Sequence, residues 1–160
     1  MRRAVFLALT LGTAVCGLWG QDVPGKCDYP NGVPFEVNRS FGAILIRAQV
    51  NGHRVMLVVD TGASHTILSA ELLQVRSLAL EHARTPAKGS GLVGTAGWGR
   101  ATIEIGPITW QDRQVLVMDD FQDLSNNLRQ KVDGIIGEDI LREFDFVAFD
   151  FKHQRLVLLR

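Results

Sequence analysis

Several scarcities narrow the field first. Cysteine occurs only at Cys16 and Cys27 in 160 residues, too few for a structural zinc site with its four ligands. If the first of these is removed with an N-terminal segment, Cys27 is the sole thiol left. That excludes an internal disulfide and leaves a free thiol or an intermolecular bridge. The four histidines, His53, His65, His82 and His153, show no metal-ligand spacing, so neither a metal nor another cofactor is expected. Net charge is absent as well: Lys and Arg total 17, as do Asp and Glu. Without a basic excess or long charge runs, nothing points to nucleic acid or an anionic membrane surface as partner. No internal repeat or low-complexity tract is visible. Ser64 and Ser69 have no convincing His and Asp companions, which argues against a serine hydrolase.

What is present begins with an export signature. Arg2 and Arg3 precede an apolar run from Ala4 to Trp19, closed by Gln21 and Asp22, the order of a secretory signal peptide. The run is shorter than the roughly 18 residues that span a bilayer, which favours a removed signal over an uncleaved anchor. Lipid attachment at Cys16 is a third reading, opposed by Val15 where a small residue is expected. The expected division is residues 1–20 as signal peptide (or anchor), 21–32 as linker, and 33–160 as one folded domain. The expected location is outside the cytoplasm, in a bacterial periplasm or envelope or in the medium. Contact with a membrane is expected only through the N-terminal segment, if it is kept.

From Val33 onward the pattern is mainly β, with one or two short helices. "FGAILIRAQV" and "HRVMLVV" are apolar, β-branched runs separated by Asn51-Gly52. That dipeptide is a strong hairpin signal, because both turn residues must take positive φ. Asp60 therefore ends the second hairpin strand. The segment "TILSAELLQVRSLAL" reads as helix or strand. "KGSGLVGTAGWGR" carries five glycines between Gly89 and Gly99 and reads as a mobile hairpin leading into the strand "ATIEIG". "RQVLVM" is another strand, "DGIIGEDILREF" a buried run followed by a short helix, and "DFVAFDF…RLVLL" a closing hairpin. Glu138 and Asp139 read as first-turn acids favoured by the helix dipole.

Asp60-Thr61-Gly62-Ala63 is the segment that bears on chemistry. An Asp at a strand end is commonly just an Asx-turn, and such a tetrapeptide arises by chance about one or two times in a hundred in this length. Its surroundings are more specific. A hydrophobic pair precedes "DTGAS", a Gly-rich segment follows mid-domain, and "DGIIGEDIL" supplies an apolar-apolar-Gly element before a helix. This arrangement resembles the retropepsin-like aspartic proteases over roughly Val33 to Leu159. The resemblance implies a single-lobed, closed β-barrel or sandwich acting as a homodimer, since no second Asp-Thr/Ser-Gly occurs.

It also implies roles. Asp60 would be catalytic, one carboxylate from each subunit meeting at a two-fold axis. Two carboxylates about 3 Å apart share a proton, so one acts as general base and the other as general acid. An isolated Asp60 lacks its acid partner, so the chemistry asks for a second copy. Thr61, Gly62 and Ala63 would support the active-site loop: Thr61 by bonding across the axis, Gly62 by letting backbone approach the carboxylates. Ala63 leaves out a hydroxyl donor to the aspartate. Ile135, Ile136 and Gly137 would pack beneath the loop as structure. Gly94, Gly97 and Trp98 would belong to a substrate-binding flap, with Trp98 at its tip; a plain surface loop is the alternative. His65 reads as a solvated side chain. The expected activity is aspartic endopeptidase, with a peptide or protein as substrate. The alternative is a non-catalytic peptide-binding or dimerisation module on the same fold.

Overall fold

The computed structural model describes residues 32–72, 85–89, 92–119 and 121–160. The signal-peptide reading, the Cys16 and Cys27 readings and nearly all of the 21–32 linker therefore lie outside the described residues. Among the described residues no helix is long and apolar enough to cross a membrane.

The chain runs β1 (Val33–Val37), β2 (Ile44–Val50), β3 (His53–Val59), β4 (Ile67–Ser69), β5 (Thr85–Gly89), β6 (Leu92–Ile105) and β7 (Ile108–Met118). Then come α1 (Gln122–Leu128), β8 (Gly134–Ile136), α2 (Glu138–Leu141), β9 (Phe146–Asp150) and β10 (Arg155–Leu159). The β2–β3 hairpin turns at Asn51 and Gly52, whose φ values of 49° and 76° are those a two-residue I′-type turn demands. The strands pair in the order β6-β7-β4-β8-β3-β2, and β2 pairs back onto β6. Six strands thus close a barrel. Closure is made by Gln49 opposite Glu104 and Val50 opposite Ile103, which removes the unpaired edges that open sheets expose. β1, β10 and β9 extend from the first half of β2.

Alternation along β2 explains the filling. Ile46, Ala48 and Val50 point into one core with Leu57, Leu68, Ile103, Val115 and Val117. Leu45 faces a second cluster with Val58, Ala63, Ile67, Ala96, Met118 and Ile135. This second cluster lies under the loop that follows β3.

Both helices given above are short, and one falls at an unexpected place; residues 71–72 begin another helical segment at the edge of the described residues. α1 has no side-chain cap and only Leu128 buried. In "TILSAELLQVRSLAL" the structure makes β4 from Ile67–Ser69; residues 73–84 are outside the described ones.

Candidate active site

Asp60 stands at the mouth of the loop between β3 and β4. β3 delivers it because β3 is clamped on both sides: Ile44 lies opposite Val59, and β8 runs parallel with Val58 opposite Ile135 and Val59 opposite Ile136. The clamp continues one residue further, since the Asp60 N–H donates to the Ile136 carbonyl at 3.0 Å. Asp60 is half-buried, and Thr61 and Gly62 are exposed at the loop tip. The Gly62 N–H donates to Asp60 Oδ1 at 2.8 Å, a local bond that orients the carboxylate. A Cβ on Gly62 would stand 3.2 Å from that same oxygen, tight enough to disturb it. The Ala63 N–H closes the turn onto the Asp60 carbonyl at 3.2 Å, and the Ala63 side chain is buried.

Ile135, Ile136 and Gly137 form the floor. Both isoleucines are 1% exposed. Gly137 is in extended backbone, and its missing side chain is what lets the loop sit down. A Cβ there would be 2.5 Å from the His65 carbonyl carbon and oxygen and 2.7 Å from the Ala63 oxygen. The Glu138 N–H donates to the Ala63 carbonyl at 2.7 Å. The Gly137 N–H donates to Thr66 Oγ1 at 3.2 Å, and that hydroxyl in turn donates to Asp139 Oδ1 at 2.8 Å.

Asp139 does more than the sequence reading assigns it. It is a first-turn acid of α2, as expected, but it is only 8% exposed and holds the far end of the loop through Thr66. α2 is one turn long, so its dipole offers little. Arg113 supports the site from behind, donating to the Asp139 carbonyl at 2.6 Å and pairing with Glu143. Trp110 Nε1 donates to Glu143 as well, at 2.9 Å. Burial pushes the Glu143 carboxyl up, but the Trp110 bond and the guanidiniums of Arg113 and Arg160 outweigh it and hold the group below its ordinary value. Sequence reasoning passed over Thr66 and Arg113 and read Asp139 only as a helix-start acid; their partners are 26 to 73 positions apart, and no local pattern announces them.

The Gly-rich segment is an antiparallel arm. Gly89 pairs with Leu92 and Ala87 with Gly94, so the connection is residues 90–91, outside the described residues. β7 ends at Met118 opposite Ala96, so among the described residues 92–95 pair with β5 alone. Gly94 therefore lies in a two-stranded arm, while Gly97 and Trp98 lie at its root, opposite Val117 and Leu116. Trp98 is not a tip residue, because the register of the hairpin turn places it on the supported part of β6. Its ring meets His65 edge-on, centroids 5.3 Å apart. Leu116 explains the meeting: it pairs with Trp98 on one side and Ile67 on the other.

His65 is exposed, as expected, but engaged: Ser64 Oγ and His65 Nδ1 are 2.9 Å apart. Among the described residues no carboxylate bonds to His65, so this pair lacks the third group of a hydrolase triad. Ser69 is buried in β4. Nor does any group of three or more metal-ligating side chains occur among the described residues.

Residues 46–140 match the family model described as aspartyl protease. No curated protein matches the chain significantly. Among solved structures, the chain is similar to a retropepsin-like aspartic protease from Rickettsia conorii, with 21% identity and a TM-score of 0.51 over 79% of this chain and 86% of that one. It is also similar to the retroviral protease-like domain of Ddi1 from Leishmania major, with 19% identity and a TM-score of 0.47 over 71% of this chain and 86% of that one. The matched family segment spans more than half of the chain and contains Asp60, the β8 floor and the root of the arm, and the barrel matches the first of these structures in fold. The chain belongs to the aspartyl protease family and has its single-lobed, retropepsin-like fold.

Proposed function

We propose that the protein is an aspartic endopeptidase whose active centre is completed by dimerisation, with Asp60 from each subunit. The observation that carries this reading is the setting of Asp60. It is a lone carboxylate on a loop tied down at both ends, oriented by the Gly62 N–H and flanked by exposed Thr61 and Gly62. A half-exposed carboxylate held this way has a fixed direction and no acid partner in its own loop.

A second copy on a two-fold axis supplies that partner. The paired carboxylates hold one proton between them; the charged one takes a proton from water, and the water oxygen attacks the peptide carbonyl. The protonated one gives its proton to the carbonyl oxygen, forming a tetrahedral intermediate. Collapse of the intermediate returns a proton to the leaving nitrogen and breaks the C–N bond. The arm of β5 and β6 covers an extended peptide, with Trp98 and His65 forming a wall at the arm's root. Export through the N-terminal segment belongs to the same proposal.

The test is pH-resolved cleavage of a diverse peptide library by the purified full-length protein, beside Asp60→Asn, with mass followed by light scattering. Cleavage lost in Asp60→Asn, with specific activity rising as dimer accumulates, is the expected result. A stable dimer that cuts nothing at any pH favours a binding module instead. A monomer that cuts refutes the two-copy centre.

A further inference from the structure

One peptide group outside the loop holds the backbone of Asp60. The Asp60 N–H donates to the Ile136 carbonyl at 3.0 Å, and that carbonyl shares a rigid plane with the Gly137 N–H. The Gly137 N–H in turn donates to Thr66 Oγ1 at 3.2 Å. The tilt of the Ile136–Gly137 peptide is therefore set at its N–H end by Thr66, and it carries Asp60 at its carbonyl end. A threonine hydroxyl rotates unless something takes its proton. Here Asp139 Oδ1 takes it, at 2.8 Å.

Asp139 must then be held as well, and its own element does little to hold it. It is buried, and α2, which carries it, is four residues long with no side-chain cap. A buried carboxylate also needs a counter-charge. Arg113 answers both needs. It stands on β7 opposite Ala101, and its Nη2 donates to the Asp139 main-chain carbonyl at 2.6 Å. The same nitrogen lies 3.9 Å from Asp139 Oδ2. Among the described residues Arg113 is the one cation paired with Asp139. A single guanidinium thus fixes the backbone of α2 and faces its buried acid with the opposite charge.

Arg113 is itself aimed. Its Nη1 pairs with Glu143 Oε1, while Glu143 Oε2 accepts the Trp110 Nε1–H at 2.9 Å and an Arg160 N–H at 3.1 Å. Trp110 is buried and meets Phe144 edge-on, 6.1 Å between centroids. The donors of a guanidinium lie fixed in one plane and can serve two acceptors at once. Ion pairs out of water add little net stability over apolar packing of the same volume, so stability alone does not account for charge at this place. What the charge supplies is direction. Arg113 also lies three residues along β7 from Leu116, which is opposite Trp98, a separation of about 10 Å from the substrate wall.

We propose that Arg113 is a positioning residue for the Asp60 centre. Through Asp139 and Thr66 it fixes the tilt of the Ile136–Gly137 peptide that holds the Asp60 backbone, and Glu143 with Trp110 keeps it aimed. This rests on the Asp60 centre proposed above, and it names the group that sets the angle at which the carboxylate is presented.

The experiment compares the full-length protein with Arg113→Ala and Arg113→Lys, reading kcat and KM for peptide cleavage and amide hydrogen exchange on the same preparations. Arg113→Ala should lower kcat about 10- to 100-fold, the loss that follows from a misplaced reacting group. KM should stay within about 2-fold, because the substrate wall is untouched. Methylguanidinium added to Arg113→Ala should restore part of kcat by refilling the vacated space. Arg113→Lys keeps the charge but not the fork, and its kcat should fall between the two. In Arg113→Ala the N–H groups of Asp60, Gly137 and Glu138 should exchange about 10-fold faster or more, while those of the β2–β3 hairpin keep wild-type protection. A general loss of fold would speed exchange everywhere. If Arg113→Ala does not fold, the same split and the same selectivity are read from Arg113→Lys. A wild-type kcat in Arg113→Ala, a raised KM at unchanged kcat, or uniformly faster exchange overturns the proposal and leaves the Asp60 centre standing. A wild type that cuts nothing overturns both.

Discussion

Gly137→Ala should damage stability and activity together, and its size can be worked from the coordinates. Gly137 has φ −101° and ψ −177°, extended backbone that any residue adopts, so the substitution carries no conformational penalty of its own. Its cost is steric. The added Cβ would lie 2.5 Å from two atoms of the His65 carbonyl and 2.7 Å from the Ala63 oxygen, whereas comfortable contact is about 3.5 Å. All three atoms are main chain, so no side chain can swing aside; the loop after Asp60 must rise by about 1 Å. Overpacking of this kind costs about 1–3 kcal/mol. Lifting the loop also stretches the bonds from Glu138 N–H to Ala63 and from Gly137 N–H to Thr66, worth about 1 kcal/mol each. The sum is about 3–5 kcal/mol, a large share of the roughly 5–15 kcal/mol that holds a domain folded. A catalytic group displaced by about 1 Å can lose on the order of 100-fold in rate. Urea denaturation with matched slopes, alongside cleavage, measures both. Gly52→Ala is the control: its Cβ meets nothing within 4 Å, leaving only the penalty of its φ of +76°, about 1–2 kcal/mol. If Gly137→Ala costs no more than Gly52→Ala and cuts peptide normally, the loop is not seated on Gly137.

Thr66→Val should cost about 2–4 kcal/mol in denaturant, because it strips a donor from buried Asp139 and an acceptor from the Gly137 N–H; Thr66→Ser, which keeps the hydroxyl, should cost far less. Glu143 contributes stability that is present above its unfolded value near 4.5 and is lost as pH falls through its lower folded value. Glu143→Gln should therefore weaken the fold at neutral pH and converge on wild type in strong acid, as urea midpoints across pH would show. Trp98→Ala removes the ring on which His65 rests and should raise KM more than it lowers kcat, if the arm's root shapes the substrate wall.

These residues differ in how visible they are before any coordinates exist. Asn51-Gly52 and Asp60-Thr61-Gly62 are contiguous, and the chemistry that makes them informative is local: positive φ in a two-residue turn, and a carboxylate on a strand end with a glycine beside it. The mainly-β class follows from the alternation of β2 and β3 for the same reason. Trp98 was harder to place. Its role depends on the pairing of Gly89 with Leu92, and a run of glycines does not reveal where a hairpin reverses. α1 was invisible because "QDLSNNL" buries only Leu128 and begins after Phe121 with no capping side chain, so neither periodicity nor a cap marks it.

Asp139 shows the deeper limit. Next to Glu138 in sequence, it reads as the same kind of first-turn acid, yet the two acids face opposite ways. Glu138 is exposed, while Asp139 is buried against Thr66 from 73 residues earlier. What separates them is that β4 and β8 run antiparallel, Ile67 opposite Ile135, which carries Thr66 to the end of β8 where α2 starts. A buried acid of that kind can be found from sequence only by knowing the strand order. The part of the site that holds Asp60 in place is thus a property of topology, while the part proposed to react is written in four consecutive letters.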